Sequence, residues 1–157
     1  MGEKSDTNAE TDCTEYVTVM LGEQLFGLPI SRVQDVFVPD RLTRVPLAPP
    51  EVAGILNLRG RVVTAIDMRS RLDLGRREEA RAAMAIGVEF RSESYGLLVD
   101  SVGEVMKFPN SQCEAKPANL GGRMAQVASG IFRLENQLMV VLDVDRILDM
   151  KNGAMAA

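Results

Sequence analysis

Apolar positions in this chain recur in short runs and at period two, which is the spacing of strands. Glu15-Tyr-Val-Thr-Val-Met-Leu21 is rich in β-branched residues, Gly22-Glu23 follows as a turn, and Gln24-Leu-Phe-Gly-Leu-Pro-Ile30 resumes the pattern. The two segments read as a hairpin. Ser31-Arg-Val-Gln-Asp-Val36 has Ser at a helix-start position and valines at 33 and 36, which predicts one helical turn. Phe37-Val-Pro39 and Leu42-Thr-Arg-Val-Pro46 read as short extended pieces whose prolines put them at edges, and Pro46-Leu-Ala-Pro-Pro50 as a stiff connector. A second hairpin is predicted from Val52-Ala-Gly-Ile-Leu-Asn-Leu-Arg59, the turn at Gly60, and Arg61-Val-Val-Thr-Ala-Ile-Asp-Met68. Its second strand is nearly continuously apolar, so burial on both faces is expected. Asp67-Met-Arg-Ser-Arg-Leu72 reads as a short helix capped by Asp, and Gly75-Arg-Arg-Glu-Glu-Ala-Arg81 as a charged connector.

The second half repeats this pattern. Gly27-Leu-Pro-Ile-Ser-Arg-Val-Gln-Asp-Val-Phe37 aligns with Gly96-Leu-Leu-Val-Asp-Ser-Val-Gly-Glu-Val-Met106. Ala53 to Asp67 aligns with Ser129 to Asp143, and Leu72-Asp-Leu74 with Leu148-Asp-Met150. Strand-turn-strand patterns also look alike by chance, but matched Gly, Asp and Leu positions in both blocks point to two copies of one supersecondary unit. Each copy is small for an independent core, so two five-strand units packed on each other are expected. The domain organisation expected is a disordered tail at 1–14, one domain at 15–150 with halves at about 15–74 and 84–150 whose strands can cross between subdomains, and a tail at 151–157.

Composition narrows the chemistry. The chain has 157 residues, a net charge of -4 and no Trp, which argues against a nucleic-acid surface or a base-stacking platform. It has no apolar run long enough to span a membrane, and its polar, acidic start does not read as a secretory signal. Histidine is absent, which removes the commonest general base, the Ser-His and Cys-His systems and most zinc sites. Cys13 and Cys113 are expected as two thiols in a reducing cytoplasm, a bridge between them being the alternative.

Four carboxylates are the candidates for catalysis: Asp67, Asp143, Asp100 and Glu104. The equivalent places of Asp67 and Asp143 in the repeat favour helix capping, because a catalytic pair needs no such symmetry. The glycines form no phosphate loop, and Gly121-Gly122 reads as loop punctuation. The nine methionines are dispersed and read as core or tail. Arg59 is the more informative residue, since Asn57-Leu-Arg-Gly60 closes a strand in a tight turn and projects a guanidinium from a rigid edge. Asp35 could pair with it if the two segments meet.

These residues resemble a known family. Phe26 to Val36, Leu42-Thr-Arg-Val-Pro46, Gly54-Ile-Leu-Asn-Leu-Arg-Gly60, Val62 to Arg69 and Gly96 to Val102 are similar, in order and spacing, to the chemotaxis coupling family CheW over about residues 15–150. The resemblance implies a mainly β fold. Two small five-stranded β-barrel subdomains would pack around a shared core, with short helices including one near the C-terminus. It implies no catalytic activity, cofactor or metal. The implied role is a cytoplasmic adaptor, monomeric when isolated and recruited to the inner face of the membrane without inserting into it. Its implied partners are the cytoplasmic tip of chemoreceptors and the regulatory domain of the histidine kinase CheA. The receptor would lay a helical hairpin in a groove whose matching positions here are Val33, Asp35, Val36, Arg59, Val62 and Val63, with Thr43, Arg44 and Gly54 nearby. Two residues depart from the family's habit: Asp35 stands where Glu is common, and Thr64 where Pro is usual. An adaptor for another receptor-kinase pathway, such as surface motility or second-messenger control, is the alternative, and a small carboxylate hydrolase a remote one.

Overall fold

The computed structural model describes residues 12–74 and 84–149. Most of the two expected tails and all of the charged connector at 75–81 therefore lie outside the described residues. The first strand already includes Cys13 and Thr14, which the sequence pattern assigned to the tail.

Among the described residues, ten strands form two five-stranded sheets. β1 (Cys13–Leu21), β2 (Gln24–Pro29), β8 (Ser101–Pro109), β9 (Ala128–Arg133) and β10 (Leu138–Leu142) build the first, in the order β8-β1-β2-β10-β9. β3 (Asp35–Phe37), β4 (Val52–Leu58), β5 (Arg61–Asp67), β6 (Met84–Phe90) and β7 (Glu93–Val99) build the second, in the order β3-β6-β7-β5-β4. Each sheet thus takes strands from both halves of the chain. The crossing is made by two parallel ladders, β2 with β10 and β5 with β7. Among the described residues there are three short α-helices: α1 (Met68–Arg71) and α3 (Val144–Leu148) follow strands, and α2 (Gly122–Val127) leads into β9.

The alternation of side chains along the strands sorts apolar residues into three cores. The largest lies between the sheets. There Phe26 and Leu28 meet Ile66, Ile86 and Leu97, with Ile147 and Leu148 of α3 sealing one end. The concave side of the first sheet holds Tyr16, Leu25, Phe132, Met139 and Val141, with the Phe108 and Phe132 rings stacked at 4.6 Å between centroids. That of the second sheet holds Leu56, Val63, Ala65, Ala85 and Leu98.

The sheets curl toward barrels without closing into them. In each, the segment leaving one edge strand, β3 or β8, reaches the opposite edge strand through one isolated bridge, Thr43 with Ile55 and Glu114 with Ile131. Two details differ from the sequence expectation. The helical turn expected over 31–36 is a 3-10 turn at Ile30–Arg32, because the Gln34 amide donates to the Gly87 carbonyl at 2.7 Å and draws the chain into β3 beside β6. Gly121-Gly122 also does more than mark a loop, since α2 starts at Gly122 and the Ala125 amide donates to the Gly121 carbonyl.

Candidate docking site

The second sheet's two edges approach each other along a seam. On one side β3 pairs with β6 through Asp35↔Gly87, Val36↔Ile86 and Phe37↔Ala85. Period two turns Phe37 inward, where its ring fills the space that a side chain on Gly96 would need, and leaves Val36 outward and 41% exposed. Asp35 lies over Gly87, whose missing side chain makes room for the carboxylate. One carboxylate oxygen, Oδ1, is enclosed with no hydrogen-bond partner among the described residues.

On the other side stands the β4–β5 hairpin. Its loop is Arg59-Gly60, both at positive φ (54° and 82°), the combination of a two-residue hairpin turn that matches strand twist. The Gly60 amide donates to the Asn57 side chain at 2.9 Å and locks that turn. The Asn-Leu-Arg-Gly run is therefore a device for holding Arg59 at a fixed point. From there Arg59 reaches over the open end of the sheet to Asp35, Nη1 to Oδ2 at 3.6 Å. The guanidinium is 79% exposed, so the pair adds about 0–1 kcal/mol to stability. Most of the donor capacity of Arg59 points to solvent.

Thr43 ties the connector to the hairpin, donating its amide to the Ile55 carbonyl and accepting from the Ile55 amide, both at 2.8 Å. Gly54 permits this approach: its φ is 154°, and a Cβ there would strike the Thr43 carbonyl. Val62 sits opposite Asn57 on the outward face of β5 and is 62% exposed. Arg44 is exposed beside Thr43.

The structure brings together Asp35, Val36, Thr43, Arg44, Gly54, Arg59 and Val62, and corrects two expected members of the set. Val63 is 3% exposed and belongs to the concave core, because one step along β5 reverses the face that Val62 occupies. Val33 is half-buried against the inter-sheet core and is not an open anchor. Three residues missed in the sequence lie on the same segments: Val38, Leu42 and Ile55 are exposed. Ile55 was legible, since it falls on the same parity of β4 as Asn57. Val38 and Leu42 fall in extended pieces too short to show a period of two, so pattern gave no side for them. Among the described residues, eight of the nine exposed large apolar residues fall between Ile30 and Val62 in the sequence, and Val36, Val38, Leu42, Ile55 and Val62 belong to the segments of this seam, which makes it the natural place for a partner.

Three of the four candidate carboxylates have other work. Asp67 accepts from the Arg69 amide at 3.0 Å and caps α1; Asp143 accepts from the Arg146 amide at 3.2 Å and caps α3. Asp100 takes a bidentate pair from Arg69 at 3.1 and 2.7 Å and accepts from the Gly22 amide at 2.7 Å, binding the β1–β2 turn to the second sheet. That hydrogen bonding raises the Arg69 guanidinium above its ordinary pKa. Glu104 is an exposed residue of edge strand β8. Cys13 lies in β1 opposite Pro109, Cys113 is exposed, and both are thiols. Among the described residues no cluster of three or more His, Cys, Asp or Glu could hold a metal, and no helix is long and apolar enough to cross a membrane.

A duplicated β-protein with Asp67, Asp143 and Asp100 engaged in caps and a clamp, and with exposed apolar side chains on both edges of one sheet, has the build of a binding scaffold. The CheW-like domain family matches residues 15–152, and the chain belongs to that family. The chemotaxis protein CheW of Bacillus subtilis is 26% identical over 142 residues, covering 90% of this chain and 91% of that one. The CheW of Klebsiella aerogenes is 25% identical over 146 residues, covering 93% and 88%. The crystal structure of the scaffolding protein TtCheW from Thermoanaerobacter tengcongensis superposes with a TM-score of 0.79 at 26% identity, covering 90% of this chain and 97% of that one.

Proposed function

We propose that this chain is a non-enzymatic adaptor that couples chemoreceptors to the histidine kinase CheA. The receptor's cytoplasmic helical hairpin docks on the seam between β3 and the β4–β5 hairpin, and the kinase's regulatory domain engages a separate face. The observation that carries the reading is the concentration of exposed apolar residues on this seam, around a guanidinium held on a rigid turn. Val36 and Val62 are the apolar anchors, and Arg59 supplies forked donors that fix register. An interface of ordinary size, about 800 Å² per partner, fits a molecule of this size.

The test is binding of the purified chain to a chemoreceptor hairpin fragment from the same genome. Arg59→Ala and Val62→Asp each remove an exposed group, so both variants should melt as the wild type does. Each is expected to bind the hairpin at least about tenfold more weakly, a loss of about 1.4 kcal/mol or more. Wild-type affinity in both variants would remove the seam as the receptor site.

A further inference from the structure

Leu47 combines two unfavourable features. It is as exposed as in an extended chain, at 103%, and it adopts a φ of 66°. The Ala48 amide donates to the Val45 carbonyl at 3.2 Å, so Val45-Pro-Leu-Ala48 is a β-turn with Pro46 second and Leu47 third. A positive φ at the third position is the type II pattern, and it calls for Gly or Asn. Leucine there is strained by its Cβ and gains nothing from burial. Nothing within the described residues offsets either cost.

The surroundings suggest what does. Pro46, Pro49 and Pro50 stiffen the loop, and the Val52 amide donates to the Pro49 carbonyl at 2.9 Å, so the projection of Leu47 is fixed in advance. The loop runs directly on from the Thr43–Ile55 bridge, which makes it continuous with the docking seam. Arg41 and Arg44 precede it in the chain, both exposed and without a carboxylate partner among the described residues. On a chain of net charge -4, these are two unpaired cations on the segment leading to the apolar tip, with the exposed Asp40 as the one carboxylate among them.

We propose that Leu47 is a preformed knob that inserts into a hole on the helical partner of the seam, with acidic residues of that partner beside the hole meeting Arg41 and Arg44. A single rigid apolar side chain matches the hole formed by four residues on a helix surface, and unpaired guanidiniums prefer carboxylate neighbours. The inference rests on the reading of the seam as a receptor site and extends that site beyond the strands.

Leu47→Asn tests it, because Asn tolerates the left-handed conformation while removing the knob. The purified full chain would be titrated with the same chemoreceptor hairpin fragment, alongside Val62→Asp and Leu47→Met. The expected result is about tenfold weaker binding by Leu47→Asn, a melting temperature equal to or above wild type, and near-normal binding by Leu47→Met. If Leu47→Asn binds like wild type while Val62→Asp does not, the knob is wrong and the seam stands. Wild-type binding by all three overturns both. A Leu47→Asn variant that keeps the hairpin but loses the CheA regulatory domain would overturn the choice of occupant, and a clearly lowered melting temperature would overturn the strain on which the argument depends.

Discussion

Gly54 shows how one residue carries both fold and site. Its φ of 154° and the Thr43 carbonyl at the place of its missing side chain both exclude other residues. Gly54→Ala is expected to cost about 1–3 kcal/mol through backbone strain, and to lower the melting temperature by several degrees. Because the clash pushes the Thr43 segment off β4, hairpin binding should fall along with stability, unlike in Arg59→Ala. Thermal melts and binding titrations on the same samples check this, and an unperturbed melt would show that the bridge yields at no cost. At this scale the sequence was partly legible. The helix-capping roles of Asp67 and Asp143 could be read from their places after apolar strands, because a cap is a local arrangement. The exposure of Val62 was not, because a nearly continuous apolar run predicts burial on both faces, which holds for Val63 but not for Val62 at the strand's open end.

At the scale of elements, the least legible feature is the attachment of α3. This five-residue helix is too short to hold itself. Its end is secured by Arg71 of α1, whose Nε donates to the Ile147 carbonyl at 2.8 Å and whose Nη2 donates to the Arg146 carbonyl at 2.9 Å. The guanidinium satisfies carbonyls that a helix C-terminus leaves open, and burial lowers its pKa below the ordinary value. Nothing in the run Met-Arg-Ser-Arg distinguishes Arg71 from the exposed arginines elsewhere, since its partners are backbone atoms of the other half. Arg71→Met keeps much of the stem's packing and deletes both bonds. The expected loss is about 2–4 kcal/mol, with faster amide hydrogen exchange across 144–149 than in the strands. Unchanged protection of α3 would mean that Ile147 and Leu148 hold the helix through packing alone. The hairpins β1–β2 and β4–β5, in contrast, were readable from alternation and turn residues, because both strands of a hairpin lie within one window of sequence.

For the whole molecule, the duplicated pattern suggested two similar units but could not say how they share strands. Ladders between distant segments leave no local mark: Val140 against Phe26 and Ile66 against Leu97 join residues with nothing between them in sequence to announce the pairing. The exchange has a physical consequence. Without the second half, β1 and β2 lose β8, β9 and β10; without the first, β6 and β7 lose β3, β4 and β5. Each fragment would be left with a lone hairpin or two and with half of the inter-sheet core exposed, and an isolated hairpin is marginal in water. A chain split between residues 74 and 84 should therefore give two fragments that show no cooperative melt alone. Mixed at equal concentration, they should recover one, with a midpoint that rises with concentration because association has become part of folding. Circular dichroism melts of each fragment and of the mixture decide the matter. A fragment that melts cooperatively alone would mean that a half can re-pair its own strands into a closed unit, and that the exchange seen here is one of two packings open to the sequence.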